Sequence, residues 1–402
     1  VCSLLHRVEK SMEIKPESTH MTDKTDLKRR EAAAIIQTYS RQDVLLVRGR
    51  GTRVWDSEDN EYLDFVAGIA VNNVGHCHPK VVQAVKTQAE RLIHTSNLYY
   101  TENQVRLAEE LKALTGMKKA YFCNSGAESV EAALKLTRRA TGRSKIVAAE
   151  RAFHGRTLGA LGATYKPAYR EPFRPLNEAA FVAYNDIEAL KSAATADTGA
   201  IILEPVQGEA GVYVAEPDYL RAAREICDDR NALLIFDEVQ TGFGRTGKWF
   251  GKDHSGVMPD IMTLAKAMAG GLPIGAMLAS ESVAEALSRG DHGSTFAGGP
   301  LICAAALAVI DVIREERLVK RSEEMGAYMK KELQKLMPRD VRGLGLMVGL
   351  DLDADCKSLV EKALARGVLI NSTGEHTLRL IPPLVVDKKE IDQVVNVIGQ
   401  SL

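Results

Sequence analysis

The middle of the chain alternates amphipathic helical stretches with short apolar runs. Apolar positions recur with helical spacing at residues 79–93 and 102–115. The apolar runs are YFCN (121–124), KIVAAE (145–150), AIILEPV (200–206) and LLIFDEV (233–239). Continuous apolar runs separated by amphipathic helices are typical of parallel strands covered on both faces. The pattern therefore predicts an α/β fold with a mostly parallel central sheet.

The two ends of the chain have a different pattern. A charged helical stretch near the start precedes alternating positions in VLLVRGRGTRVWDSEDNEYLDF, which predict short antiparallel strands. Near the end, strand-like VGLDL, VLI and TLRLIP are interleaved with helical segments. We predict a disordered lead at residues 1–25 and a large domain at residues 76–304. A smaller α+β domain should be built from both termini, namely residues 26–75 and 305–402.

Length and composition limit the kinds of partner. A chain of 402 residues exceeds the roughly 250–300 residues at which a single core stops growing, so two domains are expected. The net charge of −1 gives no electrostatic reason to bind nucleic acid or acidic membranes, and no apolar stretch is long enough to cross a bilayer. Six cysteines without CxxC spacing are typical of reduced thiols. These features predict a cytoplasmic protein without nucleic-acid or membrane partners.

A lysine stands between an apolar strand and several glycines in IMTLAKAMAGGLPIGAM. A lysine that forms a Schiff base must lose its proton, so Lys266 would need an enclosed site that disfavours the ammonium ion. Small neighbours such as Gly270 and Gly271 would let a flat cofactor approach the backbone. An ordinary solvated loop lysine is the alternative that this segment leaves open.

The segment LLIFDEV ends in an acidic pair at the carboxyl end of an apolar strand, where open α/β sheets bind ligands. A buried carboxylate there needs a cationic partner. A protonated pyridine nitrogen facing Asp237 would be one, and the ring would then act as an electron sink. Helix capping or metal ligation by Asp237 and Glu238 are the open alternatives.

A strand runs directly into a helix in YFCNSGAESVEAALK. The free amides at a helix N-terminus favour anions, and Gly126 lets the backbone come close to one. The sequence therefore predicts a phosphate site at Ser125, Gly126 and Ala127. Simple helix capping by the Ser-Gly pair is the alternative.

Six segments together resemble the class III aminotransferases of fold type I. NSGAE, AFHGRT, EPVQGEAG, FDEVQTGFGRTG, TLAKAMAGGLPIG and STFAGGP occur in the order and spacing of that family, from about Tyr39 to the C-terminus. The branch that the chain resembles most is that of the acetylornithine and ornithine aminotransferases. The resemblance implies pyridoxal 5'-phosphate as cofactor, an amine donor and 2-oxoglutarate as substrates, and a homodimer with shared active sites.

The resemblance also implies roles for individual side chains. Lys266 should anchor the cofactor and then carry the proton as general base, while Asp237 should face the ring nitrogen and Gln240 the ring hydroxyl. Phe153 and Val239 should pack on the two ring faces. The other implied cofactor contacts are Ser125, Gly126, Ala127, His154, Glu238 and, from the partner subunit, Thr295. The implied substrate contacts are Tyr39, Arg156, Glu209, Ser294 and Arg379.

A transaminase must accept in turn an amine donor and a dicarboxylate. In the family that this chain resembles, a glutamate masks an arginine until the dicarboxylate displaces it, and Glu209 and Arg379 match that pair. A purely structural ion pair is the alternative. For His154, a general-base role is the alternative to packing against the cofactor beside Phe153.

The donor is predicted from one departure from the family pattern. Ile69 falls where ornithine-specific relatives usually have a tyrosine, which favours an acylated donor. We predict that N-acetylornithine and 2-oxoglutarate give N-acetylglutamate 5-semialdehyde and glutamate in arginine biosynthesis. Free ornithine, 4-aminobutyrate, succinyl-ornithine and a diaminopimelate derivative are the alternatives. A different class is also open, because GFGRTGK (242–248) nearly matches a nucleotide-binding P-loop, although Trp249 replaces the required Ser or Thr.

Overall fold

The computed structural model of this chain describes residues 24–402. Apart from Lys24 and Thr25, the predicted lead at residues 1–25 lies outside the described residues. The described chain divides into two compact units, a smaller one of residues 24–48 and 55–61 and a larger one of residues 49–54 and 62–402. The domain limits that we drew from the sequence stay predictions. No helix in residues 24–402 has both the length and the apolar character needed to span a membrane.

The smaller unit contains helix α1 (Lys24–Ala34), which has no buried residue. Asp26 forms an ion pair with Arg29 on the same helix at 2.6 Å. Three strands have residues in both units, namely β1 (Leu46–Arg50), β2 (Arg53–Asp56) and β3 (Glu61–Asp64).

A seven-stranded sheet forms the centre of the larger unit. Its strands are β4 (Lys119–Cys123), β5 (Lys145–Ala149), β6 (Ala180–Val182), β7 (Thr198–Leu203), β10 (Leu233–Asp237), β11 (Ile261–Leu264) and β12 (Gly275–Ala279). Their order is β4-β12-β11-β10-β7-β5-β6, and within this sheet β12 alone runs antiparallel to its neighbours. All residues of β7, β11 and β12 are buried, as expected for strands covered on both faces. The predicted mostly parallel central sheet is confirmed.

Helices alternate with the strands along the chain. After α1 they are α2 (Pro79–Ala89), α3 (Glu102–Thr115), α4 (Gly126–Thr141), α5 (Leu158–Gly162), α6 (Pro167–Arg170), α7 (Ile187–Ala193), α8 (Pro217–Arg230), α9 (Glu281–Ala284), α10 (Pro300–Glu315), α11 (Leu318–Gln334), α12 (Cys356–Leu364) and α13 (Lys388–Ser401). Helix α4 packs on β11 and β12, α8 packs on β7 and β10, and α10 packs against α2 and α3. The buried face of α10 joins the largest apolar core of the unit.

A second sheet lies in the last part of the chain. Its strands are β13 (Asp340–Leu344), β14 (Met347–Asp351), β16 (Asn371–Ser372) and β17 (Thr377–Leu380), in the antiparallel order β13-β14-β17-β16. Helix α11 packs on β13 and β14 and against α13. Strand β15 (Val368–Leu369) pairs in parallel with β3, which joins the late and early parts of the chain. A hairpin of β8 (Val206–Gln207) and β9 (Tyr213–Val214) carries the loop that contains Glu209.

Candidate active site

Three neighbouring strands of the central sheet end around one cavity of about 450 Å³. Asp237 is the last residue of β10, Glu204 directly follows β7, and Lys266 is the second residue after β11. This edge of a parallel sheet is where ligands bind. The cavity wall contains these residues singled out from the sequence: Ser125, Gly126, Ala127, Phe153, His154, Arg156, Asp237, Val239, Gln240 and Lys266.

Lys266 has an unusual backbone conformation, and the pKa of its amine is lowered. Its φ of 43° lies in the left-handed region, which a side chain rarely adopts unless its surroundings impose it. Burial lowers the pKa of Lys266, and this effect outweighs the opposing charges of Glu209 and Asp237. The neutral amine that Schiff-base chemistry requires is therefore favoured at this position.

Asp237 is held by three donors. Its Oδ2 is 2.7 Å from Nδ1 of His154, while its Oδ1 accepts from the amide of Val239 and the hydroxyl of Thr263, each at 3.1 Å. Thr263 reaches Asp237 because the two residues are paired in the β10–β11 register. These bonds fix the carboxylate at the cavity wall.

His154 is a partner of Asp237 as well as a cavity residue. Its side chain is fully buried, and its Nε2 has no hydrogen-bond partner among the described residues. Burial opposes protonation of the ring, but the hydrogen bond and charge of Asp237 outweigh it and raise the pKa of His154. Because Nδ1 of His154 is engaged with Asp237 and the ring is buried, this geometry favours a supporting role beside the cofactor over the general-base alternative.

Glu204 lines the same cavity and was not among the residues predicted from the sequence. It is buried, and its Oε2 accepts from the amide of Phe153 at 3.2 Å. Burial raises the pKa of Glu204 to about 8, with a further contribution from the charge of Asp237. The signal that identified Asp237, an acid at the end of an apolar strand, also applies to Glu204 in AIILEPV.

The N-terminus of α4 reaches the cavity through NSGAE. The Ser125 hydroxyl accepts from the amide of Glu128 at 3.2 Å, so Ser125 does cap the helix, as the capping alternative expects. Ser125 also lines the cavity. A Cβ on Gly126 would lie 2.8 Å from Cγ1 of Val239, and the helix start therefore needs glycine to pack on Val239. Asn124, which also lines the cavity, donates to the Ser294 hydroxyl at 2.9 Å.

Arg379 and Glu209 form an ion pair beside these residues. The Arg379 side chain is 1% exposed, and its Nη1 donates to Glu209 at 2.5 Å and, at 3.3 Å each, to Gly208 O and Gln240 Oε1. Burial opposes ionisation of Glu209, but the charge and hydrogen bond of Arg379 outweigh it, so the pKa of Glu209 is lowered. Glu209 also lines a neighbouring cavity of about 860 Å³.

Arg156 lies on the wall of the first cavity and is exposed. Its guanidinium group lies 3.5 Å from the ring centroid of Tyr169 and 5.7 Å from that of Phe153. Stacking on aromatic faces orients a guanidinium group while leaving its N–H edges able to bind a carboxylate.

Glu238 does not line the cavity. Its carboxylate accepts from the amides of Gly251 and Lys252, both at 2.7 Å, and from the hydroxyl of Thr241. Burial raises the pKa of Glu238 to about 7, against the effect of these bonds. The capping alternative therefore fits Glu238 better than the predicted cofactor contact, because its oxygens are already used inside the protein.

Three further residues singled out from the sequence also lie elsewhere. Ser294 and Thr295 line a separate cavity of about 1090 Å³, although Ser294 contacts the first cavity through Asn124. Tyr39 belongs to the smaller unit, where the residue is 75% exposed and its ring lies 5.7 Å from the Arg41 guanidinium. The roles of Tyr39 and Thr295 stay predictions.

The P-loop-like segment 242–248 is anchored in the fold by its arginine, while Lys248 is exposed. Arg245 is fully buried and donates to Leu346 O at 2.8 Å, to Pro382 O at 2.6 Å and to the side chain of Asn73. The next element is a four-residue 3₁₀ turn rather than the helix whose N-terminus would hold a phosphate. This geometry does not support the nucleotide-binding alternative.

Ile69 lies in a turn, Ala67–Ala70, in which all four residues have positive φ. Such a conformation costs roughly 1–2 kcal/mol for each residue other than glycine. Asp64 supports the turn by accepting from the amides of Val66 at 2.9 Å and Ala67 at 2.8 Å. The turn leaves Ile69 exposed and is followed directly by Val71, which lines the cavity.

The chain is similar to known aminotransferases over nearly its whole length. Residues 36–402 match the family model described as Aminotransferase class-III. An acetylornithine aminotransferase of Methanosarcina acetivorans is 55% identical over 377 residues, which are 92% of this chain and 95% of that protein.

Solved structures agree with this similarity. An ornithine aminotransferase of Toxoplasma gondii, whose structure shows partial occupancy of pyridoxal phosphate (PLP) at the active site, has a TM-score of 0.89 and 32% identity, with 99% of this chain and 97% of that chain covered. An acetylornithine aminotransferase of Elizabethkingia anophelis has a TM-score of 0.83 and 34% identity, covering 94% of this chain and 98% of that chain. The chain therefore belongs to the class III aminotransferases, the PLP-dependent transaminases that the sequence motifs resemble.

Proposed function

We propose that this chain transfers the δ-amino group of N-acetylornithine to 2-oxoglutarate, as a step of arginine biosynthesis. The observation that carries the proposal is the pair of a buried Arg379 and a partly exposed Glu209 beside the Lys266 cavity. Such a pair can switch the charge of one pocket between two kinds of substrate. The 55% identity to an acetylornithine aminotransferase supports the same donor.

The cavity fits pyridoxal phosphate by the chemistry of its donors. Burial favours the neutral amine of Lys266, and Asp237 holds a carboxylate where a pyridinium nitrogen needs a counter-charge. Gly126 and Ala127 begin a 16-residue helix, whose first amides favour a phosphate. When bound, the cofactor supplies an electron sink for the charge that develops on the donor carbon.

Residues of the cavity have separate roles in cofactor binding and proton transfer. Lys266 holds the cofactor and moves the proton at the donor carbon as general base, a role that the lowered pKa of its buried amine favours. Asp237 keeps the ring nitrogen protonated, and His154 and Thr263 keep Asp237 in place. Phe153 and Val239 line the cavity and would pack on the two faces of the ring.

Substrate charge is handled by the two arginines. Arg156, stacked on Tyr169, binds the carboxylate of the amine donor. Glu209 covers Arg379 while that donor reacts. The second carboxylate of 2-oxoglutarate then replaces Glu209 on Arg379 and completes the exchange of amino and keto groups.

We also propose a homodimer in which Thr295 reaches the partner's cofactor. Thr295 is exposed and lies outside the cavity of its own chain. It adjoins Phe296, which is 68% exposed and whose ring centroid lies 5.2 Å from that of His94. Asn97 donates to Ala297 O at 3.0 Å beside it. Tyr100, in the same stretch as Asn97, is 99% exposed. A large exposed apolar patch is typical of a subunit interface.

Mixed dimers test the shared site. Lys266→Ala and Thr295→Asp are each expected to inactivate the homodimer. If Thr295 serves the partner, a one-to-one mixture of the refolded variants has one intact site in each mixed dimer and regains about a quarter of wild-type activity by random pairing. No recovery in confirmed mixed dimers would mean that Thr295 acts within its own chain.

The cysteines bear on location. The five cysteines in the described part of the chain are free, and burial raises the pKa of Cys227 and of Cys303 to about 12. Unpaired thiols suit a reducing compartment. We therefore propose that the enzyme works in the cytoplasm.

A panel of amine donors at fixed 2-oxoglutarate tests the substrate. N-Acetylornithine should have the highest kcat/KM, ahead of succinyl-ornithine, free ornithine, 4-aminobutyrate and a diaminopimelate derivative. Preference for free ornithine or 4-aminobutyrate would overturn the donor and leave the reaction class intact. Absence of glutamate formation with every donor would overturn the proposed reaction itself.

A further inference from the structure

The loop that carries Glu209 lies against one row of the C-terminal sheet. Arg342 of β13 is directly opposed to Gly349 of β14, and Gly349 to Arg379 of β17. Opposed residues on antiparallel strands project from the same face of a sheet. Two arginines therefore stand on either side of a glycine that has no side chain.

The backbone of residues 208–211 fills the gap above this glycine. Arg379 donates to Gly208 O at 3.3 Å, at the start of the loop, and Nε of Arg342 donates to Gly211 O at 2.9 Å, at its end. A Cβ on Gly349 would overlap Gly211 O. The loop is thus bonded at both ends and pressed against the sheet in the middle.

The loop backbone is also strained. Gly211 has a φ of 111°, and the next residue, Val212, has a φ of 64°. A β-branched residue in the left-handed region is an outlier that persists only where the surrounding structure imposes it. Val212 is fully buried among apolar neighbours that include Met347 and Ile381. The strain therefore indicates a loop held in one conformation.

Arg342 is itself fixed by partners that do not face the cavity. It forms a two-bond pair with Asp351 at 2.6 and 2.9 Å, contacts Asp340 at 2.8 Å and lies 4.1 Å from the ring centroid of Tyr213. Planar, doubly bonded arginine–carboxylate pairs are rigid. Arg342 lines neither the Lys266 cavity nor the adjoining cavity at Glu209.

We propose that Arg342 is a positioning residue for the exchange of substrates. It keeps the loop backbone still, so that Arg379 is uncovered by rotation of the Glu209 side chain alone and covered again when that side chain returns. The inference rests on the proposed function, in which Glu209 masks Arg379 during the first half-reaction. A loop that moved as a whole would take Gly208 O away from Arg379 each time and leave a buried cation with fewer acceptors.

The variant Arg342→Gln tests this role in the holoenzyme. The readout is the ratio of kcat/KM for N-acetylornithine to kcat/KM for glutamate, each measured as a single half-reaction from the change in cofactor absorbance. Loss of a charge-assisted hydrogen bond should loosen the mask and lower this ratio roughly 10-fold. The change should appear in KM, because Lys266 and Asp237 are untouched and kcat depends on them.

Two companion variants separate positioning from folding. Gly349→Ala pushes on Gly211 O from the sheet side and should lower the same ratio, which keeps the test open if Arg342→Gln does not fold. Arg143→Gln is the matched control, because Arg143 also donates to main-chain oxygens, those of Thr198, Arg230 and Asn231. It should leave the ratio at the wild-type value.

The outcomes are distinct. An unchanged ratio in a folded, cofactor-loaded Arg342→Gln or Gly349→Ala enzyme overturns the positioning role, as does an equal shift in Arg143→Gln. A wild-type enzyme that transaminates neither N-acetylornithine nor glutamate overturns the proposed function instead. A lower ratio in the first two variants, with wild-type kcat, supports the inference.

Discussion

Replacing Glu209 by Gln is the most direct test of the charge switch. The change keeps the size and one acceptor oxygen of the side chain and removes its charge. In the wild type, Glu209 Oε1 lies 2.5 Å from Nη1 of Arg379, whose side chain is 1% exposed. In Glu209→Gln the guanidinium group keeps only neutral acceptors, including Gly208 O and Gln240 Oε1.

The size of the effect follows from this geometry. Removing one partner of a fully buried ion pair costs about 3–5 kcal/mol. The Glu209 side chain is 34% exposed and Arg379 keeps other acceptors, so we expect about 1–2 kcal/mol of lost stability. If the free energy needed to expose Arg379 to a substrate carboxylate falls by a similar amount, kcat/KM for glutamate should rise about 5- to 30-fold relative to N-acetylornithine.

The pH dependence has a definite sign. Arg379 holds the pKa of Glu209 below its ordinary value of 4.5, so the stability that the pair contributes is present above pH 4.5 and is lost as pH falls through the folded-state pKa. The stability difference between wild type and Glu209→Gln should therefore shrink in acid.

Two measurements decide the matter. Chemical denaturation at pH 7 and at pH 4 gives the stability difference, and half-reaction kinetics with each amine give the selectivity. If the pair is only structural, stability falls and both half-reactions fall in proportion. That result would refute the switch and would leave the ion pair as a folding element.

Three further predictions concern groups around the cofactor. Lys266→Ala should lower turnover at least about 10³-fold and abolish borohydride fixation of the cofactor to the chain, measured by peptide mapping; fixation at another lysine would contradict the assignment. Burial raises the pKa of Glu204 to about 8, so the folded state retains a proton that the unfolded chain loses above pH 4.5, and stability should fall as pH rises through this window. Glu204→Gln should remove this decline, which is on the order of a few kcal/mol; an unchanged pH profile of the denaturation midpoint would show that Glu204 is ionised in the fold. Ser125→Ala removes the cap of α4 and should cost about 1 kcal/mol, while Ser280→Ala, whose hydroxyl makes no cap bond to α9, serves as control.

The parts of the site that the sequence predicted depend on short segments. An apolar run ending in Asp237 predicts a carboxylate at the end of a buried strand. The apolar strand and the glycines around Lys266 predict an enclosed site for its amine. The N-terminus of α4 likewise follows from a few consecutive residues at Ser125. Such features are local, and the chain around them needs only to fold as the pattern predicts.

The supporting contacts could not be predicted in the same way. Thr263 meets Asp237 only because β10 and β11 pair in one register, and a polar residue inside an apolar strand gives no sign of it. The bond between Arg342 and Gly211 joins residues 131 positions apart and depends on the absence of a side chain at Gly349. Register and close approach are properties of the assembled fold.

The charged groups around the cavity together determine how readily the amine of Lys266 loses its proton. Ionised carboxylates would favour its ammonium form, yet burial keeps a proton on Glu204 near neutral pH, and Arg379 balances the charge of Glu209. Asp237 is fixed by His154 and Thr263 at the position where a cofactor ring nitrogen would need a counter-charge. The amine of Lys266 can then lose its proton although three acidic residues surround it. The same balance means that uncovering Arg379 changes the charge felt by Lys266, because the carboxylate that leaves is one of those that favour its protonation.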